Sequence, residues 1–114
     1  MSSRSRSLVS KVKLQDYAET WIAQRPGLRP RTVDLCHWLL KKHLAPHLGN
    51  VQIAKISTSA VRQWRADLLG NGVSVSMAAK AYQLLRAVLM TAADDDRVIP
   101  DNPCRIRGAG DEHA

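Results

Sequence analysis

Four runs of apolar residues recur at helical spacing, and proline, glycine or asparagine separates them. Leu14, Tyr17, Ala18, Trp21 and Ile22 fall at i, i+3, i+4, i+7 and i+8, one stripe of a helix running to about Arg25, where Pro26-Gly27 stops it. A second helix starts around Pro30-Arg31, because proline fits a first helical turn and Val33, Cys36, Leu39, Leu40 and Leu44 keep the spacing. The stretch Ala45-Pro46-His47-Leu48-Gly49-Asn50 is expected to end it. Ser57 is the N-cap of a third helix to about Leu69, with Val61, Trp64 and Leu68 inward, Arg62 and Arg65 on the other side, and Gly70-Asn71-Gly72 closing it. Ser74 caps the fourth and longest, to about Asp94, whose inward stripe holds Ala78, Tyr82, Leu85, Leu89 and Ala92, helped by Ala81 and Val88. Residues 51–56 alone alternate as a strand would. No second strand is available to pair with them, so they are expected to form an extended connector whose Val51, Ile53 and Ile56 plug the core. The pattern predicts an all-α bundle.

A chain of 114 residues has room for one such core. No apolar run approaches the roughly 18 to 20 residues of a membrane span, and the opening Met1-Ser-Ser-Arg-Ser-Arg-Ser lacks the apolar stretch of a signal peptide. With two cysteines only, Cys36 and Cys104, the expected setting is cytoplasmic and reducing. Residues 1–11 read as a flexible basic arm and folded structure is expected from about residue 12.

Charge is unevenly placed. The net +7 is concentrated between residues 25 and 65, where eight bases face Asp34 alone, whereas residues 66–114 carry five bases against seven acids. Such a distribution suggests one face turned toward a polyanion, by default nucleic acid, against the simpler reading of a generally basic surface.

Catalytic groups are harder to find. His43 and His47 are four apart with Cys36 near, but Pro46 breaks the spacing and no second ligand cluster exists, so no metal is expected. There is no glycine-rich phosphate loop, H-E-x-x-H or G-x-S-x-G, and no cofactor is implied. Asp94-Asp95-Asp96 reads as a solvated helix end rather than a cation site. Cys104 has no clear base beside it, and Tyr17 and Tyr82 lie on apolar stripes. What remains is surface chemistry. Arg25, Arg29, Arg31, Lys41 and Lys42 surround or belong to the second helix, whose N-terminal N–H groups and Thr32 hydroxyl suit a phosphate. The fourth helix opens Ser74-Val75-Ser76-Met77 and continues to Lys80 and Gln83, a lightly charged face that can approach bases. Arg29 and Arg31 also read as ordinary loop charges, and Ser74 as a cap alone. Trp38, off the main stripe, is either a surface contact or the edge of a wide buried face.

The order of these signals resembles the core-binding domain of the tyrosine recombinases, the phage-integrase type, over about residues 12–107. The likeness is carried by LQDYAETWIAQR at 14–25, by RTVDLCHWLLKKHLAPHLGNVQIAKIS at 31–57 and by residues 61–109. Its most specific pieces are Thr32 followed by His43-Leu44 and Pro46-His47-Leu48-Gly49; Ser74 with Leu84-Leu85-Arg86-Ala87-Val88-Leu89; and Ile99-Pro100-Asp101-Asn102-Pro103-Cys104. The resemblance implies a four- to five-helix orthogonal, SAM-like bundle that forms half of a clamp on duplex DNA. Strand cutting by a tyrosine nucleophile would belong to a separate domain beyond residue 114, with 108–114 as the start of the linker. It further implies that the second and fourth helices face the major groove, with Arg31 and Thr32 as contacts on one and Ser76, Met77 and Lys80 on the other. Cys36 stands where a tyrosine is frequent in the family and Met77 where a threonine is. The expected partners are double-stranded DNA and, in a full-length protein, other recombinase protomers, the isolated chain being monomeric and non-catalytic. Two rivals have other signatures: a helical protein-interaction module anchored on Leu35 and Trp38, and a stand-alone helix-turn-helix regulator.

Overall fold

The computed structural model describes residues 12–24, 27, 29–97, 99 and 102–104. The expected arm at 1–11 and linker at 108–114 lie outside these residues, as does the expected helix end at Arg25. The described residues form an all-α bundle of four main helices: α1 (Leu14–Gln24), α2 (Pro30–Leu39), α4 (Thr58–Gly70) and α5 (Val75–Asp94). Between α2 and α4 lie a π-helical turn (Leu40–Leu44), a single turn α3 (Ala45–Leu48) and a 3-10 turn (Ile53–Lys55). Among these residues no helix is long and apolar enough to cross a membrane.

The stripes pack as their spacing predicts. Leu14, Ala18 and Ile22 of α1, Val61, Trp64 and Leu68 of α4, and Ala78, Tyr82, Leu85, Leu89 and Ala92 of α5 are buried in one cluster. Both serine caps are made: the Ser57 and Ser74 hydroxyls accept from the Ala60 and Met77 N–H groups at 3.1 Å each. At the end of α4 the Val73 N–H reaches the Leu68 carbonyl and the Gly72 N–H that of Leu69, the paired closure of a helix that needs a left-handed residue. Gly72, at φ 90°, supplies it.

Two expectations need correction. Helical structure does not stop at Ala45. The turn before Pro46 widens so that the Ala45 N–H donates to the Leu40 carbonyl, five residues back. Pro46 then sits in the first turn of α3, where a missing N–H costs nothing, and the helix runs on to Leu48. Gly49 follows in close quarters, for a Cβ there would lie 2.6 Å from the Ala45 Cα and carbonyl oxygen. The connector is also not unpaired. Lys13 and Gln52 form an antiparallel bridge, with the Leu14 N–H on the Val51 carbonyl at 2.9 Å and the Ile53 N–H on the Val12 carbonyl at 3.0 Å. The residues leading into α1 supply the partner that a count of strand-like runs misses. Ile53 and Ile56 are buried and Val51 packs against the core, as expected of plugs.

Side chains tie the first and last helices together. The Trp21 indole donates to the Thr91 hydroxyl at 2.9 Å, and the Tyr17 hydroxyl donates to the Asp96 carboxylate. Asp96, expected to be merely solvated, is therefore a tertiary acceptor. Beyond α5 the chain returns over the bundle, burying Ile99, Pro103 and Cys104. Asn102 donates to the Arg86 carbonyl at 3.2 Å and accepts from the Cys104 N–H at 2.9 Å, while Thr58 donates to the Pro103 carbonyl at 3.0 Å.

Candidate nucleic-acid interface

α2 begins without the serine cap that opens α4 and α5. Arg29 holds the N-cap position with extended backbone (φ −72°, ψ 152°) and makes no side-chain cap hydrogen bond. Pro30 occupies the first turn. Arg29, Arg31 and Thr32 are all exposed there, so two guanidinium groups and a hydroxyl surround the positive end of a helix dipole.

Further along, the helix sorts the expected contact residues onto different faces. Arg31, Leu35, Trp38 and Lys42 follow one another at steps of four, three and four, which keeps them on a single line, and all four are exposed. Asp34 is the acid beside them. Lys41 lies elsewhere. With His37, Leu40 and Ala45 it lines a cleft of about 420 Å³ whose far wall is Gln15 and Glu19 of α1.

The π turn controls the middle of this line. Residues five apart are about 140° apart on an α-helix, but a π turn brings them nearly into register. His43 accordingly lies against Trp38, edge to face, with ring centroids 5.2 Å apart at 86°. The His43 Nε2 is buried with no hydrogen-bond partner among the described residues, and its backbone carbonyl accepts from the Trp64 indole at 2.7 Å. Burial, reinforced by His47 and Lys42, pulls the imidazole pKa below its ordinary 6.5. A histidine held neutral by the fold adds stability that is complete above pH 6.5 and is lost as pH falls below it, since the unfolded chain then binds the proton first. Melting temperatures between pH 8 and pH 5 are expected to fall more steeply for the native chain than for His43→Gln.

On α5, Ser74 is exposed and engaged as the cap, and Ser76 and Lys80 are half-buried. Met77 is half-buried and packs against the core, so part of its side chain is committed inward. Gln83, Arg86 and Met90 complete the outer side of this helix. Spacing alone did not show that Met77 is shared between surface and core, nor that Arg65, half-buried with an unpartnered buried Nε, is less free than Arg62. The two thiols are poor nucleophiles. Burial raises the Cys36 pKa and pushes Cys104 up to about 12.

Residues 14–109 match the phage integrase central domain model. The chain belongs to the phage integrase family. Among curated relatives, the domain is 39% identical over 94 residues to a prophage phiRv2 integrase of Mycobacterium tuberculosis, covering 82% of this chain and 24% of that protein. It is 35% identical over 102 residues to an integrase of Mycobacterium phage FRAT1, covering 89% of the chain and 29% of the relative. It is also 35% identical over 109 residues to an integrase of Mycobacterium phage L5, covering 94% and 28%. The integrase domain thus spans about a quarter of the length of these relatives. No solved structure matches it.

Proposed function

We propose that this integrase domain is a core-binding, SAM-like module that grips duplex DNA sequence-specifically for a tyrosine-type site-specific recombinase, and that it is non-catalytic by itself. The carrying observation is the exposed line along α2 into the π turn, where Arg31 and Lys42 flank Leu35 and Trp38 below the open N-terminus at Arg29 and Thr32. Phosphates are held by such an arrangement of cations and backbone N–H groups. The outer side of α5, with Ser76, Met77 and Lys80, is the second surface offered to the duplex. In this reading the strand-cutting tyrosine and its partners belong to another part of a longer protein, which acts in the cytoplasm with further recombinase protomers around the DNA. No cofactor enters.

A salt titration tests it. Each cation that neutralises a phosphate contributes about 0.9 to the slope of log K against log salt. Arg31→Ala and Lys42→Ala are each expected to flatten that slope by about 0.9 on a duplex at 50 to 200 mM salt. Lys41→Ala and Lys80→Ala report how far the contact extends, toward the α1 cleft in one case and along α5 in the other. Unchanged slopes in all four variants would move the DNA surface off these helices.

A further inference from the structure

Leu35 and Trp38 are 40% and 42% exposed, on the line that runs from Arg31 of α2 to Lys42 in the π turn. Large apolar side chains presented side by side to water lose favourable burial unless something covers them. The charge around them says what does. Arg31 and Lys42 stand exposed to either side of them and Arg29 opens the helix, against Asp34 as the acid beside the line, so a polyanion is the complementary occupant. The dimensions agree: Lys42 is eleven positions on from Arg31, roughly 16 Å along the helical axis, while the major groove of duplex DNA is about 12 Å wide. Two flexible cationic side chains at that separation reach the phosphates on opposite walls of one groove, which leaves the side chains midway between them over the base edges.

We infer that Leu35 and Trp38 are base-reading residues, lying in the major groove and covering the 5-methyl groups of thymine. That methyl is the apolar group on the major-groove edge of the four bases, and side chains without donors or acceptors recognise it by contact. Leu35 has none, and Trp38 offers chiefly its ring. The edge-on packing of His43 against Trp38 holds the indole in place before DNA arrives, so less rotamer freedom is lost on binding. This rests on the duplex-DNA reading above and adds to it the base that the second helix selects.

The experiment is a selection by this chain from a pool of random duplexes, repeated with Trp38→Ala and Leu35→Ala, each first shown by circular dichroism to melt as the native chain does. The native chain is expected to enrich thymine at one or two fixed positions. Replacing those thymines by deoxyuridine, which deletes only the methyl, should weaken native binding about fourfold per methyl. Trp38→Ala should bind the selected duplex about tenfold more weakly, be indifferent to the deoxyuridine exchange at its position, and keep the native salt slope, since no counterion is released there. Native indifference to deoxyuridine, or unchanged affinity and consensus in both variants, overturns the inference while leaving DNA binding intact. Variants that keep DNA affinity but lose self-association in sedimentation also overturn it, in favour of a second copy of the chain on this face. If the native chain binds no duplex at 50 mM salt, the proposed function fails as well, and the absence of binding distinguishes that result from the others.

Discussion

Trp64→Ala is expected to cost about 3–5 kcal/mol, enough to unfold much of the population of a domain whose whole stability lies near 5–15 kcal/mol. The indole is 2% exposed within the core cluster, so alanine leaves a cavity that α5 and the π turn beside it cannot close over fully. The second loss is polar. The Trp64 N–H donates to the His43 carbonyl inside the π turn, where the wide hydrogen-bond pattern already departs from α-helix geometry. Urea unfolding should show the midpoint collapse for Trp64→Ala, and a smaller fall for Trp64→Phe, which retains most of the packing but orphans the carbonyl at about 1–3 kcal/mol. A midpoint within experimental error of the native chain for Trp64→Phe would mean that the carbonyl finds water instead.

Asn102→Ala is the other large effect, about 2–3 kcal/mol. One side chain makes two hydrogen bonds, to the Arg86 carbonyl and from the Cys104 N–H, each contributing about 1 kcal/mol. Their loss also loosens the apolar cover that Pro103 and Cys104 lay over the core. Cys104 provides an independent readout. Burial holds its pKa near 12 in the native fold, so a thiol reagent at pH 8 should modify it at the rate of local opening. That rate is expected to rise at least tenfold in Asn102→Ala, while Cys36, half-buried on α2, reacts as before. Equal Cys104 rates in the two proteins would show that the return of the chain holds without Asn102.

Local chemistry carried most of the fold into the sequence. The stripes of α1, α4 and α5 are uninterrupted, the serines at 57 and 74 stand one residue before them, and Gly72 stands where the α4 closure needs a positive φ. α2 was the exception for a physical reason. Proline inside a helical run normally breaks it, and nothing local in Leu40-Lys41-Lys42-His43-Leu44 signals a turn wide enough to accept Pro46. The same widening decides what the candidate surface looks like. Lys41 and Lys42 are neighbours in sequence and equivalent in composition, yet one lines the α1 cleft and the other extends the exposed line. The contact of Trp38 with His43, five residues on, is outside α-helical spacing, and the Tyr17–Asp96 bond joins residues 79 apart. Neither distance leaves a periodic trace. The exposed cations themselves were legible, since lysine and arginine off the apolar stripes have nowhere else to go.

The fastening of Asn102, Pro103 and Cys104 onto Arg86 and Thr58 has a mechanical side. A pull on the chain beyond Cys104 does not act on the end of α5, because it first meets these bonds and the buried Pro103 and Cys104. Tension is delivered instead to the middle of α5 and the first turn of α4, spread across two helices whose cores are already locked together. A torque arriving from that side would therefore turn the bundle as one body, carrying the exposed line of α2 with it, before it could peel any single helix away.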